Sequence, residues 1–246
     1  MTSTTEPPTE TSPERVERQG EMEPLLGRPG DASQAEGASI ANNLYLGTAF
    51  IAQIGVVIAF VLVWTTVLTN DIILFSGHPL AQSIGVVAII QSILILQPTH
   101  TAAQKRVGQR LHAGLHLVSF LALVTGVAII EYNKVSNGLA HFHSPHAYIG
   151  VATCAVLAVQ YLVGFTMWAT PALYGGEDRA KAVWKYHRVS GYLIFLLLVA
   201  SLLSGAKTDF VANVLGMQFW VMVVASVLIL IGVLPRIKKQ KFGFKH

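Results

Sequence analysis

From residue 44 onward the chain repeats one pattern, in which long apolar runs are broken by short polar stretches. The runs fall at 44–68, 76–96, 110–130, 146–168, 187–206 and 213–234. Each is long enough to cross a hydrocarbon core ~30 Å thick as a helix. Lipid admits only helices or closed barrels, and these runs are continuously apolar where a barrel strand would alternate, so they predict six transmembrane helices. The expected fold is all-α: a polytopic membrane helical bundle over residues 41–235, with spans two to five as an up-down four-helix core.

The ends of the chain follow a different pattern. Residues 1–40 hold eight acidic residues against Arg15, Arg18 and Arg28, with many Pro, Thr, Ser and Gly. Such a segment cannot bury enough apolar surface to fold and is predicted to be a disordered tail. Nothing in it resembles an apolar stretch after a basic start, so no signal peptide is expected. Within it, "EMEPLL" sets Glu21 ahead of Leu25 and Leu26 in the acidic dileucine pattern that sorts proteins to vacuolar or endosomal membranes. Residues 236–246, "RIKKQKFGFKH", are predicted to form a basic C-terminal tail.

Composition agrees with the runs: 52% of residues are hydrophobic and 12% charged, about half the charged fraction of a soluble domain. The single cysteine, Cys154, excludes an intrachain disulfide, and its apolar setting reads as packing. Charge then gives orientation. With the N-terminal tail in the cytosol, the cytosolic segments carry fifteen of the seventeen Lys and Arg residues, and the opposite side carries Lys134 and Lys207. This bias predicts both termini cytosolic. The net charge of +4 therefore reports topology, and no nucleic-acid partner is expected.

Four histidines recur near the starts of consecutive spans: His78 in "FSGHPLAQS", His112 in "RLHAGLH", His146 in "SPHAYIG" and His187 in "WKYHRVSG". Successive spans run in opposite directions. His78 and His146 are therefore expected at the outer level, and His112 and His187 at the cytosolic level, each pair facing across the core. A lone intramembrane histidine is commonly an interhelical hydrogen-bond partner, but two pairs at two depths suit haem iron held by two axial imidazoles. Such an iron has both axial positions filled and passes electrons instead of binding oxygen.

In order and spacing, "GHPL", "RLHAGLH", "SPHAYIG" and "YHRVSGYLIF" resemble the eukaryotic cytochrome b561 family of six-span, dihaem transmembrane electron carriers. The resemblance implies two haem b groups, with His78 and His146 as axial ligands of the outer iron and His112 and His187 of the inner one. It also implies a transmembrane oxidoreductase taking electrons from cytosolic ascorbate to monodehydroascorbate or ferric iron across the bilayer, and a homodimer is compatible with it. Two stretches depart from the family pattern: "SILILQPTHT" has no basic residue before Lys105 at the inner end of span two, and "SPHAY" stands where the family carries an "SLHSW"-like motif.

The remaining polar residues cluster at the two mouths. Lys105, Arg106, Arg110, Lys181, Lys185 and Arg188 form a basic collar that could hold an anionic donor or haem propionates, although the topology rule alone accounts for basic residues there. His116, one turn after His112, shares its helix face and is read as a partner of a propionate or of a neighbouring helix. His100 is read as solvated, and the HxH pair His141 and His143 could catch a metal ion. Trp168, Tyr174, Trp184, Tyr186 and Trp220 suit an interfacial belt. The alternative reading is a histidine-lined proton or divalent-metal transporter without haem. It predicts intramembrane carboxylates as partners, and the interiors of spans two to five contain none.

Overall fold

The computed structural model describes residues 32–238 and 242. Residues 1–31 of the expected 1–40 tail, with the dileucine pattern, lie outside the described residues, as do 239–241 and 243–246. Six long helices account for most of the chain: α1 Ala49–Leu68, α2 Gly77–Leu96, α3 Ala102–Ser136, α4 Pro145–Ala169, α5 Glu177–Gly205 and α6 Phe219–Val233. No strand occurs among the described residues. All six are long and apolar enough to cross a membrane, α6 with the 3-10 turn Leu234–Arg236 that follows it.

Two helices are longer than the apolar runs suggest. The structure starts α3 at Ala102, not 110, and α5 at Glu177, not 187. Local chemistry explains both extensions. Thr101 accepts from the Gln104 backbone N–H at 3.2 Å while Gln104 Oε1 accepts from the Thr101 N–H, a reciprocal cap that starts a helix in water. Glu177 and Asp178 occupy the first turn of α5, where negative charge complements the helix dipole. The basic collar therefore rides on helical turns. His112 and His187 each lie ten residues inside their helices, whereas His78 and His146 are each the second helical residue. At α4 the Ser144 side chain accepts from the Ala147 N–H at 3.3 Å and Pro145 occupies the first turn, which fixes His146 at the helix start.

Packing divides the bundle into α2 against α3, α4 against α5, and α1 against α6. The α1–α6 crossing is very close. A Cβ on Gly232 would run into the Ala52 backbone, and one on Gly55 would meet the Ala225 carbonyl at 2.6 Å. Small residues bring helix backbones together in this way where lipid supplies no hydrophobic drive. Side chains of α2 and α5, among them Ile90, Leu94, Phe195 and Val199, join Ala52, Val56 and Ile229 in one core cluster. The α2–α3 and α4–α5 hairpins make no extended backbone contact with each other.

The helix ends on the basic face are closed by a buried polar network. Arg236, 1% exposed, donates from Nη2 to the Asn43 and Leu94 carbonyls at 3.0 and 3.2 Å. Asn43 donates to the Ile95 carbonyl at 2.8 Å, Gln97 to that of Val233 at 3.1 Å, and Thr48 to that of Gly232 at 2.9 Å. Helix C-termini leave carbonyls without intrahelical partners, and these side chains satisfy those of α2 and α6.

Candidate functional site

At the face opposite the basic collar, the His78 and His146 rings lie with centroids 6.2 Å apart and planes at 74°. His78 Nδ1–H donates to the Gly126 carbonyl at 2.9 Å, and His146 Nδ1–H donates to the Ser201 carbonyl at 3.0 Å. These bonds fix the tautomer and leave Nε2 as the basic nitrogen of each ring, as a metal-ligating histidine requires. With metal–nitrogen bonds of about 2.0 Å and about 1.2 Å from each nitrogen to its ring centre, two imidazoles on opposite sides of one metal would have centroids about 6.4 Å apart. The observed gap fits a single bis-imidazole metal. Lys134, half-buried at the end of α3, is within electrostatic reach of both rings.

On the basic face, His112 Nδ1–H donates to the Ser92 carbonyl at 3.2 Å. Ser92 is fully buried and also engages His116. Its Oγ donates to the Ile89 carbonyl at 2.7 Å, and so accepts from His116 Nε2–H at 3.0 Å. His116 is thereby tied to α2, with its Nδ1 buried and without a partner. Its ring stacks edge-on with His112 at 4.3 Å and with Tyr161 at 5.2 Å. His187 lies within electrostatic reach of His112 and His116, with a buried Nδ1 that has no partner. Gln160 Nε2 donates to the His187 carbonyl at 2.6 Å and Ser190 Oγ donates to Gln160 Oε1 at 2.8 Å, fixing α5 against α4 at this level.

The two ends are built alike. Ser92 follows His78 by fourteen residues and holds His112; Gly126 follows His112 by fourteen and holds His78. Ser201 follows His187 by fourteen and holds His146. Glycine recurs in the same fashion. Gly164 stands eighteen residues after His146, and Gly205 eighteen after His187, which is five turns and hence one helix face. A Cβ on Gly164 would lie 2.8 Å from His187 Cε1, and one on Gly205 3.1 Å from His146 Cε1. Each hairpin is thus a reciprocal pair in which one helix seats the histidine of the other.

The residues expected around this core separate. Lys105, Arg106 and Arg110 are exposed on α3. Lys181 pairs with Glu177 at 3.4 Å on its own exposed helix face, and Lys185 lies over the Tyr186 ring at 5.0 Å. Arg188 is half-buried beside Tyr192. At the far mouth, His141 Nδ1 is 3.3 Å from Glu131 and His143 Nδ1 donates to the Ala140 carbonyl at 3.0 Å. No group of three or more His, Cys, Asp or Glu able to hold a bare metal ion occurs among the described residues. His100 is exposed, as are Trp168, Tyr186 and Trp220.

Sequence reasoning missed Ser92, Ser119, Gly126, Gln160, Tyr161 and Ser201. The three carbonyl acceptors, Ser92, Gly126 and Ser201, act through backbone atoms, so residue type carries no signal, and the recurring fourteen-residue spacing is the trace they leave.

The chain is also similar to known proteins. The chain is similar to the transmembrane ascorbate-dependent reductase CYB561 of Bos taurus, 34% identical over 135 residues that cover 54% of this chain and 52% of the relative. The ascorbate-specific transmembrane electron transporter 2 of Zea mays is 24% identical over 151 residues, 58% of this chain and 63% of the relative. The lysosomal membrane ascorbate-dependent ferrireductase CYB561A3 of Rattus norvegicus is 26% identical over 138 residues, 55% and 53% of the two chains. The matched region spans about half the length of the first of these relatives. Residues 77–213, which contain all four helices of the two hairpins, match the family described as eukaryotic cytochrome b561, and the chain belongs to that family.

Proposed function

We propose that the protein carries electrons across a membrane through two haem b groups, one between His78 and His146 and one between His112 and His187. The observation that carries the reading is the 6.2 Å separation of the His78 and His146 rings, each with its Nδ1 committed to a carbonyl. When bound, haem would supply reversible one-electron chemistry, held by these histidines. The side chains hold and orient: Gly126, Ser92 and Ser201 fix the imidazole tautomers through their carbonyls, and Gly164 and Gly205 keep space beneath two of the rings.

The names of the relatives support ascorbate as donor, and the collar of Lys105, Arg106, Arg110, Lys181, Lys185 and Arg188 would attract an anion to the basic face. The acceptor on the other face is monodehydroascorbate or ferric iron, and the protein is a transmembrane oxidoreductase with both termini cytosolic, in a vacuolar or endosomal membrane. Residues 41–235 form its membrane domain, between cytosolic tails.

Purified protein should show a low-spin haem spectrum, reducible by ascorbate, with two haems per chain. Ascorbate added to the basic face of sealed vesicles should reduce an acceptor held on the other side. A colourless folded preparation, or one haem per chain, would overturn the reading.

A further inference from the structure

We propose that Tyr161 is the aromatic bridge through which the two haem sites are electronically coupled, an inference that rests on the dihaem reading above.

Its position is midway. On α3, Ser119 follows His112 by seven residues, and Gly126, the seat of His78, follows Ser119 by seven more. Ser119 therefore lies about 10 Å along the helix from either level. It is fully buried, and its hydroxyl is 2.9 Å from the Tyr161 hydroxyl. Tyr161 itself springs from α4 three residues before Gly164, the seat of His187. Helical side chains lean toward their own N-terminus, so the phenol reaches from the level of the inner histidines to the centre of the span. Its ring lies 5.2 Å from His116 and 5.8 Å from Phe120, and His116 lies 4.3 Å from His112. A ladder of rings thus extends from the inner site to mid-depth.

Packing alone does not call for an aromatic ring here. The position fifteen residues after the site histidine is Tyr161 on α4, but Ile93 on α2, Val127 on α3 and Leu202 on α5. One of four equivalent positions carries a π system, and it is the one that bridges α3 and α4, the two helices whose hairpins otherwise have no extended backbone contact. Delocalised electrons across such a gap couple donor and acceptor more strongly than aliphatic carbon. In the step, one electron leaves ferrous iron at the inner site, making it ferric, and arrives at ferric iron at the outer site, making it ferrous. Tyr161 is neither oxidised nor deprotonated. Ser119 holds the ring at its height.

The test uses the full-length protein loaded with haem, comparing the parent with Tyr161→Phe, Tyr161→Leu and Tyr161→Met. Haem content and thermal unfolding are read first, then the rate of equilibration between the haems after photochemical injection of one electron. Tyr161→Phe should stay within about twofold of the parent, while Tyr161→Leu and Tyr161→Met should slow equilibration tenfold or more with both haems retained. Met serves as the flexible gap-filler should Leu lose a haem. Equal rates in the parent and either aliphatic variant would overturn the proposal. So would a loss in Tyr161→Phe equal to that in Leu, since the ring would then be irrelevant. A parent protein holding fewer than two haems would instead overturn the dihaem reading, a result visible before any rate is measured.

Discussion

The ring of His187 rests on Gly164, where a Cβ would come within 2.8 Å of its Cε1. The first prediction follows from comparing this seat with its counterpart under His146, where the clearance at Gly205 is 3.1 Å. Gly164→Ala should displace His187 and lower bound haem toward one per chain. Gly205→Ala should leave both haems in place with a smaller loss of thermal stability, about 1 kcal/mol against about 2 for Gly164→Ala. Haem content by absorbance and unfolding temperature check it; equal effects of the two substitutions would refute the seat argument.

Ser92 serves two histidines by different atoms. Ser92→Ala keeps the carbonyl that receives His112 and removes the hydroxyl that receives His116. Both haems should remain, and stability should fall by about 1–2 kcal/mol, the cost of leaving a buried ring N–H without an acceptor. Loss of the inner haem in this variant would show that His116 matters to ligation.

The two histidine levels should also differ in what they expose to the donor. His78→Ala should keep one haem that ascorbate on the basic face still reduces, while acceptor reduction stops. His112→Ala should keep one haem that ascorbate no longer reduces quickly. Identical donor kinetics in the two variants, each carrying a single haem, would refute the assignment of levels.

Lys134 lies near both His78 and His146. A neighbouring positive charge favours the reduced, less positive iron. Lys134→Ala should therefore lower the outer midpoint potential, by about 1 kcal/mol at an intermediate effective dielectric, on the order of 40 mV for one electron. The inner potential should not move. Spectroelectrochemical titration reads both at once.

The helix contact between α1 and α6 is remote from these sites. Gly232→Val would drive a Cβ into the Ala52 backbone, and backbone cannot give way as a side-chain tip can. Stability should fall by about 3 kcal/mol while the haem spectrum is unchanged, because α1 and α6 lie outside the two histidine-bearing hairpins. A shifted spectrum would mean that the outer helices shape the sites.

Much of this was legible in the chain. Six apolar runs announce six helices, and the alternating direction of those helices puts His78 level with His146, whose rings the structure sets 6.2 Å apart. The starts of α3 and α5 were not legible as span boundaries, because turns such as "AAQKRVGQ" and "EDRAKAVW" are helical in water and carry no membrane signature. The tie between His116 and Ser92 joins residues on different helices, and periodicity along one helix is silent about its neighbour. The carbonyls of Gly126, Ser92 and Ser201 are chemically anonymous. They become readable once the fourteen-residue interval is noticed on more than one helix.

The reciprocal construction of the hairpins has a consequence for biogenesis. The α2–α3 hairpin brings His78 and His112, and the α4–α5 hairpin brings His146 and His187, so on the proposed pairing each hairpin holds half of both sites and the whole of neither. During synthesis the first hairpin can enter the bilayer, seat its histidines through Gly126 and Ser92, and wait in its finished register without being able to trap a cofactor. Capture becomes available only when the second hairpin arrives, and then at both depths together. On the proposed pairing, a chain interrupted in the loop after α3 would carry seated imidazoles and no complete site.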